Sequence, residues 1–422
     1  MLLYPILNSV KGFFESQCNS TSESSKGKKE NMETIPCLKI IHTTCHTEFG
    51  GLEKRIFNES SWMAEKGHDI IIAAPGNTPL YNKAMEKGFI THDVKFKRSG
   101  IVKDFLALRK LIRNFKPHVL NTHGNEDTKI ALSAAMGTGI PLKILSRHIS
   151  AHVGKSWYNG LLYHHLCNYV FTTADYTTRH LIKTFGIPNE RVRTVSSGII
   201  PPAILVEKAE AKKRLAKELS LDSSARFTGF VGRVSRDKGV DVVIKAFYRA
   251  SSRIPHHLAI IGTGTDEYLA DLRACAKDLN IEHRVHFTGF REDVWPYYRA
   301  LDCKMLASRD INGIPFEGIP QSILEAMYAG CPVIGSESGG IPDVIKSGIT
   351  GLLFRVDDEG DLSEKLLQTL DNEAASRARS ENAFRMVQDH HTIDAMGDKI
   401  LRIYRNYFTK PKKNSIPLRR FF

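Results

Sequence analysis

Residues 317–340, EGIPQSILEAMYAGCPVIGSESGG, carry the most information about fold and function in this chain. The first nine place two carboxylates, Glu317 and Glu325, eight positions apart, in a Gly/Pro-rich loop and in a predicted helix. If that helix begins near Pro320, eight residues are a little over two turns, and both acids can face one cleft at different depths. Such a pair suits an elongated polyhydroxyl ligand, because carboxylates accept hydrogen bonds from hydroxyls. The alternative is a pair of solvated helix-start charges favoured by the helix macrodipole.

The rest of the chain alternates between apolar runs and amphipathic stretches. We predict strands at residues 38–44, 68–76, 118–123, 225–233, 257–264, 284–290, 303–308 and 331–336. We predict helices at residues 52–67, 103–115, 241–252 and 267–279. Alternation at this spacing indicates parallel sheets covered by helices on both faces, with ligands bound beyond the carboxyl ends of the strands.

The scheme occurs twice, and the two halves meet at residues 191–204, RVRTVSSGIIPPAI, where glycine and prolines stop regular structure. This segment is the candidate hinge. The predicted fold is therefore α/β, with two facing Rossmann-like domains and a cleft between them. The expected divisions are a leader (1–35), a first Rossmann-like domain (36–200), a second Rossmann-like domain (201–385), and a C-terminal helix with a basic tail (386–422).

The leader has apolar residues at helical spacing followed by the polar run NSTSESSKGKKEN. A secretory signal, a weak membrane-surface helix and a dispensable leader all stay open.

Length and composition limit the class of protein. A chain of 422 residues suits two domains, and its 42% apolar content is that of a globular protein. The seven cysteines are odd in number and lack CxxC spacing, which fits a reducing cytoplasm and argues against a disulfide framework or a zinc site. The net charge of +13 favours anionic partners, although solubility alone is an alternative explanation. No nucleic-acid motif accompanies the charge, so phosphate-bearing ligands and anionic lipid heads are preferred.

Two glycine-containing loops follow predicted strands. Gly50 and Gly51 lie between the first strand and the first helix, where the backbone can approach a phosphate or sugar. In residues 232–241, GRVSRDKGVD, both Arg233 and Lys238 are placed to reach a diphosphate. Each of the two loops, taken alone, could be an ordinary turn. Because they occur in the expected order relative to the acid pair Glu317 and Glu325, we favour a role in binding phosphate or sugar. A third loop, GTGTDEY at residues 262–268, lacks the last glycine of a dinucleotide fingerprint and is predicted to be a plain turn.

Histidines end two strands of the first half. His123 in NTHGNED can act in binding or proton handling, and a satisfied core histidine is the alternative. Arg147 and His148, in LSRHIS, lie at the equivalent place in the next strand–helix unit. We consider them the candidates for the acceptor side of the site.

With these motifs in this order, the chain resembles the family 4 glycosyltransferases, retaining enzymes of the GT-B fold, from about residue 38 to the C-terminus. The most specific element is E-x7-E, from Glu317 to Glu325, and residues 308–320, SRDINGIPFEGIP, resemble members that build bacterial cell-surface polysaccharides. The resemblance implies that Arg233 and Lys238 bind the donor diphosphate, that Glu317 binds the sugar hydroxyls and that Glu325 binds the ribose.

For the remaining positions, the resemblance implies that Gly50 and Gly51 lie near the phosphates, that His123 contacts the transferred sugar and that Arg291 lies near the nucleobase. The chain departs from the family at Ser197, where many members have asparagine, and it has Asp343 where glutamate is frequent.

The predicted activity is transfer of a sugar, with retention, from a nucleotide-diphosphate donor to a glycan or lipid-linked acceptor in lipopolysaccharide, capsule or exopolysaccharide synthesis. Fixed cations aimed at the leaving diphosphate stabilise the transition state more than the ground state. We expect no metal and no cofactor, because DDEGD at residues 357–361 is predicted to be a surface turn rather than a metal-binding element. A nucleotide-sugar epimerase, a hydrolase or phosphorylase, and a non-catalytic sugar-nucleotide sensor remain alternatives.

Contact with a membrane surface is a further expectation. Residues 103–116 carry five cations among apolar residues, but packing against the protein's own sheet with a wet basic face is the preferred interpretation. The tail TKPKKNSIPLRRFF, with five cations and two terminal phenylalanines, is the better candidate for an anionic surface. The expected location is the cytoplasm, with peripheral contact at the inner face of its membrane left open.

Overall fold

The computed structural model describes residues 36–148, 153–315 and 317–409. The predictions for the leader and for the tail after residue 409 lie outside these ranges.

The first half is a seven-stranded parallel sheet in the order β3-β2-β1-β4-β5-β6-β7. Its central strand, residues 119–122, is buried on both faces, since the successive residues Val119 and Leu120 point to opposite faces and both are fully buried. The strands are β1 Lys39–Thr43, β2 Asp69–Ala74, β3 Ile90–Asp93, β4 Val119–Thr122, β5 Leu142–Arg147, β6 Tyr169–Thr172 and β7 Val192–Thr194. The helices are α1 Gly51–Glu65, α2 Pro79–Glu86, α3 Ile101–Phe115, α4 Asn125–Ala134, α5 Trp157–Leu161 and α6 Asp175–Phe185.

The second half repeats the design with a six-stranded parallel sheet in the order β10-β9-β8-β11-β14-β15, and β12 and β13 form a separate hairpin. The strands are β8 Arg226–Val231, β9 His256–Ile261, β10 Val285–Gly289, β11 Cys303–Leu306, β12 Asp310–Ile311, β13 Ile314–Pro315, β14 Val333–Ser336 and β15 Leu352–Phe354. The helices are α7 Lys208–Glu218, α8 Val240–Ser251, α9 Asp266–Asp278, α10 Trp295–Ala300, α11 Gln321–Tyr328, α12 Ile341–Val344, α13 Glu359–Asp371, α14 Glu373–His390 and α15 Ile393–Thr409.

Both sheets confirm the predicted α/β fold with two Rossmann-like halves. Every strand and helix predicted above is present, with ends shifted by only a few residues. The surface turn predicted at residues 357–361 is present at its start, where Asp357 lies in an exposed turn, and residues from 359 onward begin α13. Asp358 is the N-cap of α13, and its side chain accepts a hydrogen bond from the backbone N–H of Asp361. A carboxylate is a favoured N-cap, and this explains the acidic run.

The chain crosses between the halves at two adjacent segments. Near the predicted hinge, the N–H of Ile199 donates to the carbonyl of His391 at 2.8 Å, and the N–H of Ile393 donates back to Ile199 at 2.8 Å. Gly198 permits this approach, since a Cβ there would lie 2.5 Å from the carbonyl oxygen of Thr392. After this crossing the last helix, α15, returns to the first half.

Helix α15 packs on α1. The indole Nε1 of Trp62 donates to Asp394 at 2.7 Å, and Gly397 faces the same ring so closely that a Cβ would lie 2.4 Å from it. The C-terminal helix therefore completes the first domain.

Helix α3 packs as preferred from its sequence. Leu108 and Ile112 are buried, whereas Lys103, Lys110 and Arg113 are exposed. Among the described helices, none has the length and the apolar character that crossing a membrane requires.

Candidate active site

A cleft of about 570 Å³ lies between the halves and is lined by both. The first half contributes the N-terminus of α1 and the residues that follow β1, β5 and β6, and the second half contributes the loops after β8 and β11. Its lining includes His46, Gly51, Leu52, His148, Thr173, Arg233, Lys238, Ser308, Arg309, Glu317 and Gln321. Five of the predicted site residues, Gly51, His148, Arg233, Lys238 and Glu317, are thus brought to one cavity from distant parts of the chain.

Glu317 is fixed by its side chain and by its backbone. One carboxylate oxygen pairs with Lys238 Nζ and accepts a hydrogen bond from the Ser308 hydroxyl at 2.7 Å. Its carbonyl accepts from the N–H of Gly340 at 3.0 Å. Gly339 has φ +54°, and a Cβ there would lie 2.2 Å from the Glu317 carbonyl oxygen. The glycine pair after β14 therefore holds the loop that carries the acid.

Glu325 lies below the cleft rather than in its lining. Helix α11 begins at Gln321 with Pro320 as its N-cap, and Glu325 is only 8% exposed. Tyr298 donates its hydroxyl to one carboxylate oxygen at 3.0 Å, and Lys54 of α1 pairs with the other at 3.2 Å. The two acids lie at different depths, and Glu325 links the halves.

The two predicted phosphate-binding cations share an acid. Asp237 lies 3.5 Å from Arg233 and 3.7 Å from Lys238. Burial opposes ionisation of Asp237, but the nearby Ser235 side chain and the two cations outweigh burial and lower the pKa of Asp237. The side chain of Arg233 is 67% exposed, so it can turn toward an anion in the cleft.

A lysine that the sequence prediction missed lies under this half of the site. Lys304 in β11 is fully buried, and its Nζ donates to the Ser322 hydroxyl at 3.1 Å. Burial lowers the pKa of Lys304 to about 7, although the charges of Glu317 and Glu325 oppose that effect. The signal was present in CKMLAS, where a lysine interrupts a strand that is otherwise apolar up to its final serine.

The N-terminus of α1 borders the cleft at Gly51 and Leu52. The first N–H groups of a helix lack partners within it and favour anions. Gly50 is less available, since its N–H donates to the carboxylate of Glu53 at 2.9 Å. Gly51 is therefore better placed for a phosphate than Gly50, and both roles stay predictions.

The histidine site in the first half is built at the ends of adjacent strands. Both ring nitrogens of His123 are bonded, Nε2 with Nδ1 of His42 at 2.9 Å and Nδ1 with Nε2 of His148 at 2.8 Å. His123 is 4% exposed, so contact with a sugar requires exchange of one of these bonds. His148 borders the large cleft and also a second cavity of about 360 Å³ that includes His123 and Arg147.

The environment makes these imidazoles neutral. Burial lowers the pKa of His42, His123 and His148, and in His123 and His148 the nearby positive and imidazole groups add to the effect of burial. Arg147 on the side of the second cavity donates to the side-chain oxygen of Asn125 at 3.1 Å.

Arg291 is not part of the cleft lining. It pairs with Glu218 at 2.5 Å, and its Nε donates to the hydroxyl of Tyr297 at 2.7 Å. Its role at a nucleobase stays a prediction.

Asp343 has a role that the sequence prediction missed. Its carboxylate accepts from the N–H of Asp175 at 2.7 Å and of Tyr176 at 3.3 Å, at the start of α6. The N-cap of α6 is Ala174, which has no side chain to cap it, so an acid of the facing half does so. No sequence pattern signals a cap supplied from 168 residues away.

Among the residues that the structure describes, no group of three or more His, Cys, Asp and Glu side chains is arranged to hold a metal ion.

Comparison with protein families decides the identity. Residues 49–201 match the model "Glycosyltransferase Family 4", and residues 211–386 match "Glycosyl transferases group 1". The chain belongs to the family 4 glycosyltransferases. The two matches divide the chain near the crossing between its two sheets.

Curated relatives match the chain over part of their length. N-acetyl-alpha-D-glucosaminyl L-malate synthase of Bacillus anthracis is 27% identical over 242 residues, covering 57% of this chain and 59% of that protein. The lipopolysaccharide core biosynthesis mannosyltransferase LpsB of Rhizobium meliloti is 28% identical over 204 residues, covering 47% and 55%. The chain thus spans only a little over half the length of these relatives.

Solved structures show the same fold over a larger share of the chain. A glycosyltransferase of Rickettsia africae aligns with TM-score 0.78 at 16% identity, covering 89% of this chain and 100% of that one. Anabaena HepE in complex with UDP-glucose aligns with TM-score 0.72 at 16% identity, covering 87% and 100%. These likenesses establish the GT-B fold of this chain.

Proposed function

We propose that the protein transfers a sugar from a nucleotide-diphosphate donor, bound in the cleft, to a glycan or lipid-linked acceptor. The observation that carries this proposal is the pairing of Lys238 with Glu317 beside Arg233 in one cavity. Such a cavity offers cations for a diphosphate and a carboxylate for sugar hydroxyls. Family membership supports the same activity.

The donor would rearrange the ion pairs already present. A diphosphate would replace Glu317 and Asp237 as the partner of Lys238, and Glu317 would then be able to accept hydrogen bonds from the sugar. A pair of unit charges about 4 Å apart is worth ~4 kcal/mol at an effective dielectric near 20, so two cations can substantially stabilise a leaving diphosphate. Ribose binding at Glu325 requires release of Lys54 from that carboxylate.

The acceptor would approach from the side of His148. The second cavity meets the large cleft at His46, Leu52 and His148, so an acceptor bound there would face the donor sugar. Retention by attack on the same face, with the leaving phosphate helping to deprotonate the acceptor, is part of the proposal and is supported by the family resemblance. A role in cell-surface polysaccharide synthesis is supported by relatives such as LpsB.

A cytoplasmic location with contact at the inner membrane face is a finer part of the proposal. Ile101, Val102 and Leu106 of α3 are 45%, 72% and 58% exposed, and Lys103 and Lys110 lie on the same helix. Exposed apolar side chains beside cations suit an anionic lipid surface.

Donor binding tests the proposal. UDP-, GDP- and ADP-sugars are screened by thermal shift, because a ligand at ~100 times its Kd adds roughly 2.7 kcal/mol to stability. The best donor is then incubated with and without glycan acceptors, and the products are identified. Transfer only with acceptor supports the proposal. Conversion of donor alone indicates an epimerase, release of free sugar a hydrolase, and binding without turnover a sensor.

The same assay tests metal independence. Basic side chains and a helix N-terminus would stabilise the diphosphate without a divalent ion, so EDTA is expected to leave the transfer rate unchanged. A strict requirement for magnesium or manganese contradicts this part of the proposal.

A further inference from the structure

Three histidines form a continuous hydrogen-bonded line across the first sheet. His42 lies in β1, His123 directly follows β4 and His148 directly follows β5, which are neighbouring strands. The ring nitrogens of successive residues are 2.9 and 2.8 Å apart, and the rings are stacked with centroids 5.2 and 5.0 Å apart. The line begins in the core at His42, which is 1% exposed, and ends at the cleft.

Neutral imidazoles restrict how the protons in this line are arranged. A neutral imidazole has one N–H donor and one bare nitrogen acceptor. Each of the two ring-to-ring bonds needs one donor and one acceptor, so the tautomer of His42 determines that of His123, which in turn determines that of His148. Only two orders exist, one with all N–H groups on Nε2 and one with all on Nδ1.

The inner end of the line favours one of these orders. Glu59 of α1 is 1% exposed, and its carboxylate lies 3.6 Å from Arg55 Nε. Among the described residues, neither oxygen of Glu59 nor Nε2 of His42 has a hydrogen-bond partner. The negative charge of Glu59 favours a proton on His42, whereas Arg55 opposes it. Nδ1 of His42 faces His123, so Nε2 is the ring nitrogen that is left for a proton attracted by Glu59. We therefore place the proton of His42 on Nε2.

With a proton on Nε2 of His42, its Nδ1 accepts from Nε2–H of His123. Nδ1 of His123 then accepts from Nε2–H of His148. This order leaves Nδ1 of His148 without a proton at the residue that borders both cavities.

We propose that His42 and His123 are positioning residues that fix this tautomer, so that Nδ1 of His148 accepts the hydrogen bond of the incoming acceptor hydroxyl. The assignment rests on the proposed function. The acceptor oxygen forms its bond to the anomeric carbon as the bond from that carbon to the diphosphate oxygen breaks, and the hydroxyl proton passes to the released diphosphate. His148 orients the hydroxyl and takes up no proton.

The first experiment reads the tautomers directly and needs no substrate. The full-length protein is labelled with 15N-histidine, and long-range 1H–15N spectra of the imidazoles are recorded at neutral pH. Signals are assigned by their loss in His42→Asn, His123→Asn and His148→Gln. The Nε2–H tautomer is expected at all three histidines, and Nδ1–H at His148 overturns the proposal.

The second experiment separates positioning from structural support, once a donor and an acceptor have been found. His42→Phe keeps a flat ring without nitrogens, while His42→Asn keeps an amide near the position of Nδ1. We expect His42→Phe to lower kcat for transfer about tenfold with the donor KM unchanged, as for loss of one hydrogen bond, and His42→Asn to restore most of the rate. His165→Phe, at an exposed position of the same half, is the control and should match the parent protein.

A His42→Phe variant with parental kcat contradicts the proposal, and so does one that loses donor affinity in parallel with kcat. If His42→Phe does not fold, the tautomers and the rate of His42→Asn decide. Failure of every donor to bind would refute the proposed function while leaving the tautomer result standing, so the two failures are distinguishable.

Discussion

The two walls of the cleft differ in charge, and each suits a different group of the proposed substrates. The wall on the side of the second sheet is charged, and its ion pairs join Lys238, Arg233, Asp237 and Glu317. We call these four residues the charged wall. The wall on the side of the first sheet consists of the neutral imidazoles of His42, His123 and His148, hydrogen-bonded in a line that ends at His148. We call these three residues the neutral wall. A diphosphate needs positive charge, and cations already held in ion pairs can exchange their carboxylate partners for it. A hydroxyl needs only a hydrogen bond, for which a fixed neutral group suffices.

The largest expected effect is on the charged wall. Lys238→Ala and Glu317→Ala should each lower transfer by about 10²–10³-fold, the effect of removing one preorganised group that stabilises developing charge. Rates are measured with the donor and acceptor found by screening. Arg236→Ala is the matched control, since Arg236 lies in the same short turn but pairs with Asp271 on the surface. If both cleft variants keep near-parental rates, the donor site is wrongly assigned.

Acid should weaken the neutral wall. The pKa values of His42, His123 and His148 are lowered from the ordinary value of 6.5, so below about pH 6.5 the unfolded chain binds protons that the folded chain does not. The free energy of unfolding should therefore fall as pH falls, by up to about 1.4 kcal/mol per pH unit for each histidine that stays neutral when folded. Urea unfolding between pH 7.5 and 5.5 measures this slope.

The matched variant for the acid effect is His42→Phe, which lacks one of the three imidazoles with a lowered pKa and should give a shallower slope. A free energy of unfolding that is flat across this range would show that the three imidazoles ionise in the folded protein as they do in the unfolded chain.

Replacing Lys304, the buried lysine beneath the charged wall, should raise the stability of the protein rather than lower it. Lys304→Met should stabilise the protein at pH 7 by about 1–4 kcal/mol, because a buried charge with few partners is costly. Its pKa of about 7 lies below the ordinary 10.5, so the unfolded chain binds more protons between these values and parental stability rises with pH there. The advantage of methionine should thus shrink toward pH 10, as urea unfolding can show. A variant less stable than the parent at pH 7 contradicts this account.

The smallest expected effect concerns the contact that joins the walls. Asp343→Ala removes the cap that the second half provides for α6 and should cost about 0.5–2 kcal/mol of unfolding free energy. Asp343→Asn should cost less, since asparagine is also a good N-cap. Equal stability of the parent and the alanine variant by denaturant unfolding would show that this contact contributes nothing.

The sequence predicted the sheets and the charged wall well because both depend on local signals. Apolar runs of strand length indicate the strands. The glycines around Glu317 and the position of residues 232–241 directly after a strand indicate the charged wall. The neutral wall was predicted only in part. His123 and His148 were found at strand ends, but His42 lies within a strand, and its contact with His123 depends on strand order rather than on sequence spacing.

Contacts between the halves could not be predicted for the same reason. Lys54 with Glu325 and Asp343 with α6 join residues 271 and 168 positions apart. Helix α15 also returns to the first sheet, which places the end of the chain with its beginning.

A structure of the protein with the donor that gives the largest thermal shift tests the central claim most directly. We expect the diphosphate on Arg233 and Lys238, the pair between Lys238 and Glu317 opened, and the sugar hydroxyls bound to Glu317. A sugar nucleotide bound outside the cleft, with Lys238 still paired to Glu317, would contradict the account.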